Sequence, residues 1–374
     1  MTDYLPDVAT VPFILGRPED LPDSIPAIEA AVPGTAVALA ARISDPAART
    51  GLGALRAAVA AARGDLGPVS GTPIGEDAQE TRPNRDNDLA FGIERRRGEP
   101  LSLLLAALLA ACEGALELVD DQGTGLDSGD WQDLVDGFDV SARWIASPRQ
   151  VPGRLPAPAP RPVRRSSPMD GLRRWVRGHH IFMVFAQGCC LAVSGLAAAE
   201  RDGDREAAAV AAAVATRMMR ASRAALRFAG DATETQYQGE IRPTLMPPVA
   251  PPQMSGLRWR DHEALVRALG AAGSAWAWLG AEQPGLLEAF RSALDTTYDA
   301  HKGVCGHFVG SQSPSLLATT RSGRPAVGVI EQFHRIRADL LPDPADVSDS
   351  AEASDPADAF DSGEGSGGGR EEER

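Results

Sequence analysis

A histidine and a cysteine four positions apart, His301 and Cys305, are the residues of this chain with the clearest potential for chemistry. On a helix, residues four apart lie one turn above each other on the same face. This placement would let the imidazole bind a metal while the thiol bonds to an organic cofactor around that metal. Another histidine, His262, lies 39 residues upstream of His301. The spacing by itself is equally compatible with ordinary core packing of these side chains.

The side chains of His262, His301 and Cys305 limit which metals a site built from them could bind. Imidazole nitrogens are ligands for iron, copper, zinc and nickel. Zinc held by His301, Cys305 and His307 is one alternative, but no CxxC or HExxH motif accompanies these residues. The CxxCH motif of ordinary c-type cytochromes is also missing from the sequence. An HxxxC helix can still hold a haem, with the histidine on the iron and one thioether from the cysteine.

The composition is that of a globular protein with a sizeable core. Of the 374 residues, 43% are hydrophobic and 24% are charged, which is typical of soluble domains. The net charge of -14 at pH 7 argues against general nucleic-acid binding, because a nucleic-acid-binding face must be basic. The four cysteines are too few for a disulfide framework in a chain of this length.

The sequence contains no recognisable targeting or membrane segment. Its first residues, MTDYLPDVATVPF, have neither the basic nor the apolar region of a signal peptide. The longest apolar run, Ile181 to Ala199, approaches the length of a membrane span, but Gln187, Gly188 and Ser194 make it weakly hydrophobic. We therefore predict a buried core helix there, and a cytoplasmic protein without a membrane partner.

Helical patterns run through most of the chain, whereas alternating strand patterns are scarce. We expect an all-α fold, a bundle of roughly eight or more helices with long Pro-rich loops. The predicted helices are Asp45 to Ala62, Glu99 to Leu118, Asp130 to Ile145, Met169 to Glu200, Asp204 to Phe228, Arg260 to Leu279, Pro284 to Val304 and Pro325 to Leu341.

Composition also divides the chain into four regions. Residues 1–146 form a mostly helical region, and residues 147–168 form a linker or loop rich in proline and arginine. Residues 169–342 form the helical region that carries the candidate site, interrupted by a proline-rich loop at residues 239–256. Residues 343–374 are acidic and rich in Ser and Gly, so we expect a disordered tail.

The arrangement His262-x38-His301-x3-Cys305 resembles the haem-binding pattern of the haem-dependent 3-methyltyrosine hydroxylases of tetrahydroisoquinoline antibiotic pathways. The segments IRPTLMPP and SGLRWRDH, which precede and include His262, also resemble the corresponding part of that group. These enzymes belong to the broader haem-dependent aromatic oxygenases, which include the tryptophan and indoleamine dioxygenases and bacterial tyrosine hydroxylases.

The resemblance implies a c-type haem with a single thioether to Cys305, His301 as the proximal iron ligand and His262 as the distal one. A peroxide must reach the iron, so the untethered His262 would have to leave and could then act as an acid or base. The implied reaction uses hydrogen peroxide to hydroxylate the phenol ring of 3-methyl-L-tyrosine or L-tyrosine. Its product would be a catechol amino acid, 3-hydroxy-5-methyl-L-tyrosine, used in antibiotic biosynthesis.

An amino-acid substrate also requires a group that binds its carboxylate. Arg242, on the loop before His262, is the first candidate, because a guanidinium binds a carboxylate through two hydrogen bonds. An arginine that contacts solvent or a haem propionate is an equally good interpretation of this residue. Tyr237 and Trp259 are candidates for an aromatic pocket, although aromatic residues more often belong to the core.

The sequence leaves several further interpretations open. One residue of the pair His179-His180 could face the cofactor, although a core histidine is the commoner case. His334 and Arg335 are candidate contacts of haem propionates. The alternatives for the protein as a whole are an indole-cleaving haem dioxygenase of the same superfamily and a non-catalytic helical haem-binding protein. A homodimer is compatible with the sequence.

Overall fold

The centre of the fold is a pair of long helices that confirms the predicted all-α class. The structure is a computed structural model, and it describes residues 11–68, 71–75, 77–78, 80–159, 161–165, 169–250, 259–310 and 325–343. Within these ranges the helices are α1 (Ile25–Ala31), α2 (Ala36–Ser44), α3 (Leu52–Leu66), α4 (Arg82–Ala90), α5 (Pro100–Gln122), α6 (Ser128–Ala146), α7 (Gly171–Asp202), α8 (Arg205–Ala229), α9 (Arg260–Ala271), α10 (Gly273–Gly280), α11 (Pro284–Val309) and α12 (Ala326–Ala338).

Helices α7 and α8 form a hairpin around which the other helices pack. The turn between them uses Gly203, whose φ of 69° is left-handed, and Asp204, whose carboxylate accepts a hydrogen bond from the backbone of Ala207 at 2.9 Å. Helices α6 and α11 pack on α8, while α5 and α9 pack on α7. Helix α12 packs on α11. This arrangement places α7, α8, α9, α11 and α12 around one interior space.

Two of the helices are apolar enough to resemble membrane spans. By length and hydropathy alone, Pro100–Gln122 and Gly171–Asp202 could each cross a membrane. However, 72% and 89% of their most apolar segments are buried inside the protein. The run from Ile181 to Ala199 lies within the second of these helices and is almost entirely buried, so it packs as the predicted core helix.

A small sheet was not expected from the sequence. Its strands are β1 (Phe13–Leu15), β2 (Gly71–Pro73) and β3 (Ile93–Gly98), with β3 in the middle, parallel to β1 and antiparallel to β2. The alternation of β3 is hidden because one of its inward residues is Arg95, which is buried. A charged side chain on the buried face removes the hydrophobic period that would predict a strand.

Some predicted boundaries also differ. Asp45 does act as a cap, but of a short 3-10 turn, Pro46–Arg49, and the α-helix begins afterwards at Leu52. The predicted helix from Arg260 to Leu279 is interrupted at Ala272. The loop predicted for residues 239–256 begins instead with the end of a π-helical turn, Tyr237–Ile241, and a helical turn, Arg242–Thr244. Residues 251–258 lie outside the described residues.

The predicted division into four regions stays a prediction. The described part of the Pro/Arg segment packs on α6, since Gln132 donates to the carbonyl of Leu155 at 2.8 Å and accepts from the backbone of Ala157 at 2.7 Å. The acidic tail lies outside the described residues apart from Asp343.

His180 is a core histidine that should make stability depend on pH. Its Nε2 lies 2.7 Å from the carbonyl oxygen of Phe91, and its ring stacks on Phe13 at 4.1 Å. Burial lowers its pKa from the ordinary 6.5 to about 3. The folded protein therefore holds this imidazole neutral, and the stability that depends on it is present above pH 6.5 and is lost as the pH falls.

We expect His180→Phe, which keeps an aromatic ring against Phe13, to reduce this acid sensitivity. Between pH 6 and pH 4, the slope of the unfolding free energy against pH should decrease by about 1.4 kcal/mol per pH unit, the value for one proton. Denaturant unfolding at a series of pH values measures the slope. The exposed His307, replaced by Phe, is the control. An unchanged slope in His180→Phe would show that this imidazole does not titrate with unfolding.

Candidate active site

A largely apolar cavity of about 330 Å³ lies between α7, α8, α9, α11 and α12. Its walls carry the three residues whose spacing suggested a cofactor site, His262, His301 and Cys305. Because these residues come from two different helices, their meeting is a result of tertiary packing. The lining also includes the aromatic residues Phe91, Trp175, Phe182, Tyr237, Trp259, Tyr298, Phe308 and Phe333.

His301 and Cys305 lie near the C-terminal end of α11 and face the cavity from the same side of that helix. Both are partly buried. Burial lowers the pKa of His301 to about 4 and raises that of Cys305 to about 11. At neutral pH the imidazole is therefore uncharged, which is the form that binds a metal, and the sulfur carries its proton.

His262 lies in the first turn of α9, where the chain is anchored by the three residues before it. The indole of Trp259 donates to Asp88 at 2.9 Å, and the backbone N–H of Arg260 donates to the side-chain oxygen of Asn84 at 3.0 Å. Asp261, with none of its surface exposed, accepts hydrogen bonds from Gln187 and Arg95. These contacts orient the start of α9, and with it the residue that enters the cavity.

Arg95 is the centre of this anchor. Its guanidinium donates to Asp261 at 3.0 and 2.5 Å and to Asp88 at 2.9 Å through two nitrogens. Burial opposes its charged form, yet the carboxylates of Asp261 and Asp88 raise its pKa well above the ordinary value. The carbonyl of Gly16 accepts from Arg95 at 3.0 Å and from Gln187 at 3.1 Å. The N-terminal sheet thereby holds the helix that carries His262.

An ion-pair cluster extends the anchor to the surface. Arg260 donates to Glu19 and to Asp77, each at 2.8 Å. Sequence reasoning missed this whole network, because Arg95 and Asp261 are 166 positions apart. The only local signal was a pair of charged residues, Arg260 and Asp261, beside a candidate ligand.

His179 also lines the cavity, whereas its neighbour His180 belongs to the core. The Nδ1 of His179 lies 2.7 Å from the carbonyl oxygen of Trp175 and must carry the proton in order to donate to it. Burial lowers the pKa of His179 to about 4, against the opposing effect of that carbonyl. In the neutral ring, Nε2 is then an acceptor. The indole Nε1 of Trp175 is buried and has no hydrogen-bond partner within the described residues.

The predicted aromatic pocket has the expected members. Tyr237 stacks on Phe308 with ring centroids 4.4 Å apart, and Trp259 packs against Phe91 at 4.8 Å. Both lie in the wall of the cavity. Tyr237 is positioned by the π-helical turn that it begins, and such turns are frequent at functional sites.

Other candidates lie elsewhere. Arg242 is not part of the described cavity lining, and its Nη1 donates to Gln238 at 3.0 Å. The Nε2 of His307 lies 3.1 Å from the carbonyl oxygen of Ala232. His334 pairs with Asp295 at 2.7 Å, and Arg335 is exposed.

A zinc site receives no support from the geometry. Within the described ranges, no three His, Cys, Asp or Glu side chains come together in a group that could hold a metal ion. His301 and Cys305 share the cavity with aromatic and aliphatic side chains instead.

Comparisons with known proteins identify the family of the chain. A family profile described as SfmD 3-methyl-L-tyrosine peroxygenase matches residues 14–286. The chain is 50% identical over 341 residues to a 3-methyl-L-tyrosine peroxygenase of Streptomyces lavendulae. The aligned residues cover 91% of this chain and 93% of that protein. A crystal structure of reduced SfmD, soaked with sodium hydrosulfite, matches with a TM-score of 0.73 and 49% identity, over 80% of this chain and 99% of that one.

These matches confirm the resemblance at the level of the family, while the wider superfamily placement stays a prediction. The shared activity is that of a peroxygenase, an oxidoreductase. On the strength of a match that spans most of its length, this chain belongs to the family of 3-methyl-L-tyrosine peroxygenases.

Proposed function

We propose that this protein is a haem-dependent enzyme that uses hydrogen peroxide to hydroxylate the phenol ring of 3-methyl-L-tyrosine. The product would be 3-hydroxy-5-methyl-L-tyrosine, a catechol amino acid for antibiotic biosynthesis. The observation that carries the proposal is the convergence of His262, His301 and Cys305 on one apolar cavity. The name of the relative supplies the substrate and the peroxygenase activity.

The residues of the cavity fit a haem. A haem needs an imidazole for its iron and apolar walls for its macrocycle, and the cavity offers both in His301 and the surrounding aliphatic and aromatic side chains. Cys305, one turn along α11 from His301, would form the single thioether of a c-type haem. His262, from α9, would be a second residue to hold the iron. When bound, the haem would supply the oxidising chemistry that transfers an oxygen atom from peroxide.

The protein's own residues would bind and orient the substrate. The rings of Trp175, Tyr237 and Trp259 give the phenol flat apolar walls to pack on. The apolar lining also excludes water, which strengthens the few polar contacts inside. His179 offers a neutral acceptor at Nε2, suited to the phenol O–H or to a peroxide proton. His262 would offer a second imidazole for proton transfer.

The test is turnover of 3-methyl-L-tyrosine with hydrogen peroxide by the purified holoenzyme, followed by mass spectrometry. A product heavier by one oxygen atom, with the label of ¹⁸O-labelled peroxide, is the expected result. L-Tyrosine and L-tryptophan are assayed in parallel. Consumption of tryptophan with ring cleavage, and no reaction of either phenol, would instead favour an indole-cleaving dioxygenase.

His262→Ala tests the role of the distal histidine. We expect the haem to remain covalently attached, because His301 and Cys305 are unchanged, but the Soret band of the resting enzyme to shift as one axial ligand is lost. Product formation at saturating substrate should fall by about 10²-fold or more, the usual range for a lost acid–base group. A spectrum identical to that of the wild type would show that His262 does not bind the iron.

The cytoplasmic location, the lack of membrane and nucleic-acid partners and the homodimer remain predictions. They are checked by fractionation of the native cells and by light scattering of the purified protein.

A further inference from the structure

Arg337 is a buried arginine in the wall of the cavity. It lies in the last turn of α12 and is 8% exposed. Helix α12 is attached to α11 by an ion pair between Lys302 and Glu331 at 2.7 Å and by a contact between His334 and Asp295 at 2.7 Å. An adjacent face of α12 lines the cavity through Ala326, Val329, Ile330, Phe333 and Arg337.

The guanidinium of Arg337 has few partners. One nitrogen, Nη1, donates to the carbonyl oxygen of Phe333 at 3.2 Å, and the group stacks over the ring of Phe333 at 4.6 Å. Its Nε is buried and makes no hydrogen bond, and no ion pair with a carboxylate is found for it within the described residues. A guanidinium has five N–H donors, and among the described residues Arg337 has one hydrogen-bond acceptor, the carbonyl oxygen of Phe333.

Other buried arginines of this protein are paired. Arg95 contacts Asp88 and Asp261, Arg260 contacts Glu19 and Asp77, and Arg174 contacts Asp231. Arg337 alone among these four has no acidic partner in the described part of the chain. A buried charge is costly unless it is paired, so the buried guanidinium calls for an anion that the described residues do not supply.

The composition of the cavity narrows the nature of that anion. Apart from histidines, Arg337 is the only basic side chain in the described lining, and Asp and Glu do not occur there. The planar fork of a guanidinium matches a carboxylate through two parallel hydrogen bonds. A carboxylate that enters this apolar cavity would find its one strong cationic partner at Arg337.

We propose that Arg337 binds a carboxylate inside the cavity, and that it does so in place of Arg242. Two carboxylates could serve, that of the amino-acid substrate and a propionate of the haem. Both sources rest on the proposed function, the first through its amino-acid substrate and the second through its haem. Either source gives Arg337 an anionic partner that the described residues do not provide.

The experiment compares wild-type holoenzyme with Arg337→Met, which retains the apolar stem without the charge. Arg335→Met is the matched control, because Arg335 is exposed on the same helix. Equilibrium dialysis without peroxide measures the dissociation constants of 3-methyl-L-tyrosine and of 3-methyltyramine, the same molecule without its carboxylate. Redox titration of the bound haem measures its midpoint potential.

If the substrate carboxylate is the partner, Arg337→Met should raise the Kd of the amino acid at least tenfold and that of the amine less than twofold. If a propionate is the partner, both dissociation constants should change less than twofold, while the midpoint potential falls because a nearby positive charge has been lost. The proposal is overturned if both dissociation constants and the midpoint potential match those of the Arg335→Met control.

Arg337→Lys covers the case in which Arg337→Met yields no folded protein. Lysine retains the charge but lacks the bidentate fork. For a substrate partner we then expect the Kd of the amino acid to rise about threefold to tenfold and that of the amine to stay unchanged. A propionate partner predicts unchanged dissociation constants and altered propionate bands in the resonance Raman spectrum. An equal rise in both dissociation constants, or no change in any of these measurements, would overturn the proposal.

Discussion

Replacing Cys305 with alanine is expected to make the proposed haem of this protein fully extractable by acid–acetone. In the wild type, the haem should instead resist extraction and remain with the polypeptide, because a thioether survives unfolding while an iron–imidazole bond does not. Cys305 is the described cysteine that lines the cavity, whereas Cys112, Cys189 and Cys190 are buried in the core. No other thiol in the described residues is therefore placed to form the bond.

The measurement is the fraction of haem that stays with the precipitated protein, together with the pyridine haemochrome spectrum of that fraction. We expect nearly all of the haem to stay in the wild type and in the control Cys112→Ala, and nearly none in Cys305→Ala. Complete extraction from the wild type would contradict the thioether. A haem that remains bound to Cys305→Ala after denaturation would place the covalent link elsewhere.

His301 and Cys305 should be separable in the same assay. The thioether would still hold the haem in His301→Ala, so the haem should stay attached while the ligand signature in the spectrum changes. The reverse applies to Cys305→Ala, where the axial imidazole remains but covalent attachment is lost. This opposite pattern distinguishes a ligand from a tether, and a general loss of folding would produce neither.

Arg95→Met should be the most destabilising single substitution in the anchor of α9. Methionine retains the length of the stem but leaves Asp88 and Asp261 buried beside each other without their shared cation. Breaking a buried ion pair by removal of one partner costs about 3–5 kcal/mol. We therefore expect the free energy of unfolding, measured with denaturant, to fall by about that amount.

The residue after Arg95 on strand β3 supplies the control for Arg95→Met. Arg96, on the other face of β3, pairs with Glu94 and is more exposed than Arg95. Since such surface pairs contribute about 0–1 kcal/mol, Arg96→Met should change stability by less than 1 kcal/mol. Equal losses in the two variants would contradict the special importance of the buried cation.

A double-mutant cycle extends the test to the site. Asp261→Asn removes one of the two negative charges, so the double variant with Arg95→Met should lose less stability than the two single losses summed. If Arg95 also positions His262 through Asp261, the Soret band of folded Arg95→Met holoenzyme should shift towards that of His262→Ala. Normal haem absorption in a destabilised variant would limit Arg95 to a structural role.

Local patterns were sufficient to predict the long helices α5 to α8 and α11, because a helix depends mainly on contacts within a few residues along the chain. The shorter helices α1, α2 and α4 were not predicted. The acidic caps and the glycine turn between α7 and α8, for example, are visible in the sequence as Arg201-Asp202-Gly203 followed by Asp204. The sheet was missed for the opposite reason. Strand β3 is stabilised by partners far away in sequence, and its inward Arg95 disguises the alternation.

The candidate site also has a part that the sequence predicted and a part that it did not. The spacing of His301 and Cys305 sets their common helical face, so their relation to each other followed from the sequence and the periodicity of a helix. The resemblance to a known family connected them to His262. Arg337 was not recognised, because an arginine in a helix that ends in Arg335 and Arg337 is ordinary until its burial and its missing partner are known.

The amino-acid sequence by itself determined the helical content, the pairing of His301 with Cys305 on one helix and the membership of a family. Only the tertiary structure decided which residues share the cavity. His262 reaches it because Arg95, from a strand 166 positions from Asp261, fixes the start of α9, and Arg337 reaches it because α12 packs on α11. Such meetings depend on burial and on long-range charge pairing, and neither quantity can be calculated from local spacing.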